Sequence, residues 1–454
     1  MGTPETPKTP DELRWEREER IARILRSVEE QLRREFPDAP QTLDEIERSA
    51  EQLGEQIKRE IQHEMLDLCG TGYCGKFIPC SCGGTARFKS VPVRSVVTLH
   101  GEEPLARAYY YCSACRRGRY PLDDVLKLGT GQCSTHVRAL ACRFASYLPF
   151  ALATRELEMV CGVKLSASSV QRIAKQTGRQ LLQDWQERIR QPARQQMQQV
   201  EAMKRIPQQL HISMDGVMAH VDGAWREVKL GVCYERAGGS AGEKGPTKAS
   251  YCATYCATLS NSHEFGRQLR TLAHQAGEPR CRKVAVVADG SDWIWRETGK
   301  HFTQRVQILD FFHVCEHLWA LANAHFGEGS PEASAWIHAQ KGRLLENKVA
   351  EMLSEIRSWP PRTPAIAETQ RKELAYLSKH AHRMRYKTFE DAGYHIGSGV
   401  MESSCRWVVQ QRMKGSGMRW SSEGAESMLQ LRTAWCSRSH NELMDAARSA
   451  TLHA

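Results

Sequence analysis

The chain has 454 residues, of which 41% are hydrophobic and 26% are charged, the usual composition of a soluble protein of several domains. The most apolar uncharged run, 144–153, is too short to cross a bilayer, and the first residues do not form a signal peptide. Membrane and secreted proteins are therefore excluded, and a cytoplasmic protein is expected. The net charge is +10, although residues 1–66 hold 11 Lys and Arg against 17 Asp and Glu, so the remainder carries +16. This basic remainder predicts a polyanionic partner, most simply nucleic acid, although a solvated basic surface without a partner also fits.

The acidic segment 1–66 is predicted to form a charged helical arm. Apolar residues from Ile21 to Leu32 recur at heptad-like spacing among charged residues. Thr42 followed by Glu45 predicts a capping box at the start of a second helix. A helical hairpin and a dimerising coiled coil fit this pattern equally well.

The cysteines are concentrated in one part of the chain, since nine of the sixteen lie between Cys69 and Cys161. Without a secretion signal they indicate metal ligands or buried thiols rather than disulfides. Residues 67–128 contain two cysteine knuckles joined by about thirty strand-like residues, which is the layout of a zinc ribbon. The thiols predicted to hold structural Zn²⁺ are Cys80, Cys82, Cys112 and Cys115. Cys69 and Cys74 could instead supply one knuckle or part of a second site.

Residues 129–206 are predicted to be a helical region that binds DNA. A short helix from Thr154, a turn at Gly162 and a helix that begins at Ser166 form a helix-turn-helix pattern. An ordinary pair of packed helices gives the same pattern. The side chains of the second helix that are predicted to contact DNA are Gln171, Arg172 and Lys175.

Residues 207–325 alternate between strand and helix patterns and are predicted to form the first part of a catalytic core. One apolar strand ends at Asp215 and the fourth strand ends at Asp289, each followed by Gly. The element order β-β-β-α-β-α-β-α is that of a ribonuclease H-like fold, in which the first and fourth strands are neighbours. We therefore expect the two carboxylates to face each other, as a Mg²⁺ or Mn²⁺ site requires. Each acid could alternatively be an ordinary turn residue before Gly.

A third carboxylate is expected from a later helix. Residues 326–394 are predicted to be a helical insertion, and 395–454 complete the core with a helix that carries Glu402 and, one turn later, Arg406. Residues 371–420 hold ten Lys and Arg against four Asp and Glu, which suits a phosphate backbone. The basic residues of this segment that are predicted to hold DNA are Arg412, Lys414 and Arg419.

The predicted fold class is therefore multidomain α/β. A ribonuclease H-like catalytic domain with a mixed sheet and a helical insertion follows a zinc-ribbon-like module and a helix-turn-helix region.

Four motifs together resemble a bacterial insertion-sequence DDE transposase, most nearly of the Kra-type insertion-sequence family. They are Asp215-Gly, Ala288-Asp289-Gly, Asp310-Phe-Phe-His313 and Gly397-Ser-Gly-Val-Met-Glu402, and the resemblance extends from about residue 60 to 415. It implies that Asp215, Asp289 and Glu402 are the metal-binding catalytic triad. It also implies that Asp310 and His313 match the [Cys/Asp]-x-x-His signature of relatives with a helical insertion.

The resemblance further implies the function. The protein would bind double-stranded DNA at the ends of an insertion sequence, cleave those ends and join the 3′ ends to target DNA, as a homo-oligomer in the bacterial nucleoid. Arg406 or Lys414 would contact the phosphate, because Ser398 stands where another transposase group has Arg. One alternative is a non-catalytic zinc-ribbon DNA-binding protein with an inactive ribonuclease H-like domain, and another is a nuclease that cuts without joining.

A separate hypothesis concerns the helix after Asp310. Asp310, His313 and His317 could share one helix face and bind a transition metal. Packing or hydrogen bonding is the more common role for two histidines in an apolar helix.

Overall fold

A computed structural model describes residues 10–35, 42–129, 131–237, 250–437 and 439–452. The chain is α/β and divides into two compact units. The first unit holds the described residues of Met1–Ala145, Pro149–Ile173 and Met444–Ala454, and the second those of Ser146–Leu148 and Ala174–Leu443. The predicted helical region 129–206 is thus divided between the units. No helix within the described ranges is long and apolar enough to cross a membrane.

The first unit begins with two long helices, α1 (Pro10–Glu35) and α2 (Leu43–Leu68), which pack against each other. The predicted capping box is confirmed. The Glu45 amide donates to Thr42 Oγ1 at 3.2 Å, and the Thr42 amide donates to Glu45 Oε2 at 3.1 Å. These two bonds satisfy amides at the helix start that have no partner within the helix.

Six short strands follow α2. They are β1 (Phe77–Pro79), β2 (Thr85–Ser90), β3 (Val93–Thr98), β4 (Gly101–Ala106), β5 (Tyr109–Cys112) and β6 (Arg117–Arg119). One antiparallel sheet has the order β1-β2-β5-β6, and β3 and β4 form a separate hairpin. This small sheet places the two ends of the predicted cysteine module side by side.

Five helices connect these strands to the larger sheet. They are α3 (Pro121–Leu126), α4 (Thr135–Tyr147), α5 (Phe150–Cys161), α6 (Ala167–Arg190) and α7 (Ala193–Glu201). The predicted pair of helices about Gly162 is confirmed, because α5 ends there with a φ of 65°. At the start of α6 the Ser169 amide donates to Ser166 Oγ at 3.1 Å, as an N-cap requires.

The second unit is built on a five-stranded mixed sheet. Its strands are β7 (Gln209–Val221), β8 (Ala224–Ala237), β9 (Ser250–Thr258), β10 (Lys283–Ala288) and β11 (Val306–Leu309). The order is β11-β10-β7-β8-β9, with β8 antiparallel to both β7 and β9 and β10 parallel to both β7 and β11. The expected adjacency of the first and fourth strands is therefore confirmed.

Helices cover both faces of this sheet. The helices that follow β9 in the chain are α8 (Ser262–Gln275), α9 (Asp292–His301), α10 (Phe311–Phe326), α11 (Pro331–Leu345), α12 (Val349–Ser358), α13 (Pro364–His380), α14 (Tyr386–Asp391), α15 (Gly399–Ser404), α16 (Gln411–Met413), α17 (Ser422–Cys436) and α18 (His440–Leu452), and most of α18 belongs to the first unit. Ile212 and Met214 of β7 pack in one core with α8, and Val217 packs in another with Met401 and Val408. Because side chains alternate along a strand, β7 contributes to both cores.

Candidate functional site

The sheet brings two of the predicted acids together. The parallel pairing of β10 with β7 runs as far as Val286 opposite Ile212, and Asp289 and Asp215 each follow three residues later at the same end of the sheet. The charge of Asp289 acts on the Asp215 carboxyl, so the two acids lie near each other. Their adjacency is a consequence of the parallel pairing rather than of closeness in the chain.

The Asp215 carboxylate lies in an electrostatically unfavourable place. Burial raises its pKa above the usual range, and the charges of Asp289 and Glu227 act in the same direction. The Gly216 amide opposes them by donating to Oδ1 at 2.6 Å, and Cys405 Sγ lies 3.6 Å from Oδ2. A bound cation would relieve this repulsion, and carboxylate oxygens are the ligands that Mg²⁺ prefers.

Asp289 is fixed by the turn that follows β10. Its Oδ1 accepts from the Ser291 amide at 2.9 Å, and its Oδ2 accepts from Ser291 Oγ at 3.1 Å. The next residue has to be small, because a Cβ at Gly290 would lie 2.1 Å from the Tyr376 hydroxyl. Tyr376, from α13, therefore packs directly against the turn that carries the acid.

Glu402 lies on the short helix α15, where its side chain is exposed and Arg406 Nη2 donates to Oε1 at 2.7 Å. The buried thiol of Cys405, which directly follows this helix, contacts the Asp215 carboxylate. Burial raises the pKa of Cys405, and the charges of both Asp215 and Glu402 raise it further. The residues Cys405–Gln410 form a π-helical turn, a feature that is often found at functional sites. Glu402 is thus related to Asp215 only through Cys405, and the three predicted acids do not form a close group of metal ligands in the described part of the chain.

Asp310 connects the strand that precedes Asp289 to the helix of Glu402. Its backbone amide donates to the Ala288 carbonyl at 2.8 Å. Its Oδ1 accepts from the Ser398 amide at 3.1 Å, and its Oδ2 accepts from Ser398 Oγ at 2.5 Å. The buried carboxylate of Asp310 therefore anchors the loop that begins α15, which makes it a positioning residue.

A fourth acid whose charge acts on Asp215, Glu227 of β8, was not predicted from the sequence. A Cβ at Gly216 would lie 2.1 Å from Glu227 Oε1, so the Glu227 side chain lies over the residue that follows Asp215. Lys229 partly balances its charge, since Nζ donates to Glu227 Oε2 at 2.8 Å. The register of β8 against β7 sets Glu227 opposite Met218 and Leu230 opposite Asp215, so Glu227 and Asp215 lie on opposite faces of the sheet and Glu227 acts on Asp215 only through its charge.

The structure corrects one of the residues predicted to hold DNA. Arg412 is only 2% exposed, and its guanidinium lies 4.9 Å from the centre of the Trp420 ring. Burial lowers its pKa to about 10, and the nearby charge of Arg432 adds to this effect. Arg412 is therefore part of the core, whereas Lys414 and Arg419 are exposed and accessible to a phosphate backbone.

The three residues predicted on α6 differ in their surroundings. Gln171 and Arg172 are exposed. Lys175 is half-buried and forms an ion pair with Glu423 of α17. This ion pair makes Lys175 a weaker candidate for contact with DNA than its two neighbours.

The four cysteines of the first unit form a compact cluster. The sulfur atoms of Cys80, Cys82, Cys112 and Cys115 all lie within 4.8 Å of one another. Cys80 Sγ is 3.6 Å from Cys115 Sγ, and Cys82 Sγ is 3.7 Å from Cys112 Sγ. A tetrahedral zinc with bonds of about 2.3 Å needs sulfur atoms about 3.8 Å apart, so this cluster can bind a metal such as zinc.

The first knuckle is shaped to hold a thiolate. The Gly83 amide donates to the Cys80 carbonyl at 3.0 Å, with Gly83 in the left-handed region at a φ of 82°. The Cys82 amide, followed by the neighbouring thiols, lowers the pKa of Cys80 to about 6. Cys69 and Cys74 are exposed and lie outside the cluster, which is the only group of three or more possible ligands in the described part of the chain.

Loss of one ligand is expected to release zinc and unfold the small sheet. In Cys82→Ser, zinc measured by elemental analysis should fall from one atom per chain to nearly none. Amide exchange in β2 and β5 should accelerate, because so small a sheet depends on the metal for its folding energy. Cys69→Ser is the matched control and should keep its zinc. Retention of zinc by Cys82→Ser would contradict the four-cysteine assignment.

The model of an uncharacterised protein family, UPF0236, matches residues 86–442 of this chain. The matched region includes Cys112 and Cys115 of the cysteine cluster and all three predicted acids. None of the curated proteins matches the chain.

Proposed function

The chain belongs to the uncharacterised UPF0236 family, and we propose that it is a DDE transposase that cleaves the ends of an insertion sequence and joins the 3′ ends to target DNA. The observation that carries this proposal is the parallel pairing of β7 with β10, which brings Asp215 and Asp289 to the same end of the sheet, where the charge of Asp289 raises the pKa of Asp215. Two carboxylates on neighbouring strands, with a third on a nearby helix, are the donor set for metal-dependent phosphoryl transfer.

The sheet supports a ribonuclease H-like fold for the catalytic domain. In chain order its strands are arranged 3-2-1-4-5, with the first three antiparallel and the fourth parallel to the first. The helices α11 to α14 lie between β11 and the helix of Glu402, at the place of the predicted insertion. With this strand order, acids that are far apart in the chain would serve one site.

The residues have separate roles in the proposed reaction. Asp215, Asp289 and Glu402 would hold Mg²⁺, which when bound lowers the barrier for attack at phosphorus by polarising the nucleophile and the leaving oxygen. Asp310 fixes the loop that begins the Glu402 helix. Arg406, now paired with Glu402, is within reach of a phosphate that approaches this acid.

The proposed cleavage and joining steps need no nucleotide as an energy source. Water first attacks the phosphorus at the element end, breaking one phosphodiester bond and leaving a free 3′-hydroxyl. This hydroxyl then attacks a target phosphodiester, so one bond forms as another breaks. The sequence accordingly contains no Gly-x-x-x-x-Gly-Lys-[Ser/Thr] loop for a nucleotide.

Recognition of the DNA ends is assigned to the first unit. The zinc-ribbon-like cluster and the exposed Gln171 and Arg172 would contact the terminal repeats. Lys414 and Arg419 of the second unit would hold the backbone by charge. We also propose that the protein acts as a homo-oligomer assembled on DNA in the bacterial cytoplasm.

The proposal is tested with the full-length protein and DNA duplexes that carry the sequences on either side of its gene. We expect cleavage at defined ends that requires Mg²⁺, followed by joined products when a supercoiled plasmid is added. Binding without cleavage, even of ends that are already nicked, would identify a non-catalytic DNA-binding protein. Cleavage without joined products would identify a nuclease, and either outcome overturns the proposal.

A further inference from the structure

Two histidines in the first turns of α10 present their rings to each other. His313 Nε2 lies 3.3 Å from His317 Nε2, and the two ring planes are perpendicular. His313 is partly open to solvent, with a third of its side chain exposed, and a fifth of the His317 side chain is exposed. The pair is therefore accessible from the surface.

The outer nitrogen of each ring faces a carboxylate. His313 Nδ1 lies 3.1 Å from Glu316 Oε2, and His317 Nδ1 forms a short hydrogen bond with Glu373 of α13. A ring that donates from Nδ1 to a carboxylate can use its Nε2 to accept a hydrogen bond or to bind a cation. The two Nε2 atoms therefore form a pair of nitrogen ligands that face each other.

We propose that these two Nε2 atoms bind a divalent transition metal such as Zn²⁺. Zinc–nitrogen bonds of about 2.0–2.1 Å in tetrahedral geometry require nitrogen atoms about 3.4 Å apart, close to the separation of this pair. Metal-bound histidines usually donate their other N–H to a carboxylate or carbonyl, as Glu316 and Glu373 allow here. The remaining coordination positions are open to water.

The neighbouring groups define the limits of this site. Asp310 does not take part, because its oxygens accept from Ser398 and Phe312. Tyr376 stacks on His317 with ring centres 3.8 Å apart, and its hydroxyl packs against Gly290. A metal bound to the pair would thus fix the ring of His317. Tyr376, which stacks on this ring, also packs against the turn that follows Asp289.

Nickel is the probe that separates this site from the cysteine cluster, since Ni²⁺ suits imidazole and the zinc already bound by thiolates remains in place. The full-length protein is first loaded with one equivalent of zinc, which fills the cysteine cluster and leaves the histidine pair free, and Ni²⁺ binding is then measured by calorimetry in excess Mg²⁺. We expect one equivalent with wild type, and its loss in His313→Gln and in His317→Gln. His338→Gln, which alters an exposed histidine of α11, is the matched control and should bind as wild type does.

Two further variants keep the test independent of folding and of the proposed activity. Glu316 is exposed, so Glu316→Gln preserves the fold, and it should weaken Ni²⁺ binding about 10-fold to 100-fold. Asp289→Asn should bind Ni²⁺ at the pair as wild type does, because the inference does not rest on transposition. Failure of wild type to bind Ni²⁺ or Zn²⁺ beyond the cysteine cluster would show that the rings share only a proton, and equal binding by His317→Gln would also overturn the inference.

Discussion

Asp289→Asn is expected to reduce cleavage of DNA ends by about 10³-fold or more, which corresponds to about 4 kcal/mol of transition-state stabilisation. Asparagine has the shape of aspartate, and its oxygen can still accept from the Ser291 amide, so the turn after β10 should keep its conformation. The change removes one negative charge from the pair that Asp289 forms with Asp215. Cleavage rates and DNA affinity are measured on the same preparations.

The matched control for this variant lies three residues further along the chain. Asp292 is exposed and forms an ion pair with Lys379, so Asp292→Asn makes the same chemical change outside the site. It should leave cleavage within about twofold of wild type, since exposed ion pairs contribute little. Wild-type cleavage by Asp289→Asn, with DNA binding intact, would show that the triad assignment is wrong.

Asp310→Ala should lower the cleavage rate by about 10²-fold, because it releases the loop that begins the Glu402 helix and so displaces Glu402. A displacement of about 1 Å at a catalytic group lowers the rate by about this factor. The variant removes the acceptor for both Ser398 bonds and for the Phe312 amide at the start of α10. Loss of the buried Asp310 carboxylate also leaves its hydrogen-bond donors without an acceptor. This should lower the free energy of unfolding by about 1–3 kcal/mol, as measured by denaturant unfolding.

Two milder variants separate positioning from general destabilisation. Ser398→Ala removes only the hydroxyl bond to Asp310 and should have a smaller effect on cleavage. Asp310→Asn keeps an acceptor for the Ser398 amide and should restore part of the rate lost in Asp310→Ala. Equal rates for Asp310→Ala and wild type, at temperatures where both are folded, would contradict a positioning role.

The sequence allowed the parts of the site that follow from order and spacing to be predicted. The strands that carry Asp215 and precede Asp289 were recognisable as apolar runs, and their order implied that they pair. The predicted end of the first strand at Asp215 was wrong, because β7 continues to Val221 in its pairing with β8. The cysteine spacing identified the four thiols that cluster. Both inferences depend on local patterns together with one general rule of topology or of metal geometry.

The features that sequence reasoning missed depend on distances between elements. Glu227 lies over Gly216 only because of the register of β8 against β7. Arg412 was predicted to contact DNA because a run of basic residues gives no sign of which members face inward, and the π-helical turn before it changes the helix face. Asp310 and Ser398, which are 88 residues apart, form a contact that no local pattern reveals.

The most direct test of the central claim is a strand-transfer reaction with DNA ends that are already cleaved, a supercoiled plasmid and Mg²⁺. The first cleavage is bypassed, so the reaction reports only the chemistry assigned to Asp215, Asp289 and Glu402. Wild type is predicted to join the 3′ ends to the plasmid, and Glu402→Gln to bind the ends without joining them. Joined products from Glu402→Gln at the wild-type rate would contradict the account, as would their absence with wild-type protein that binds the ends.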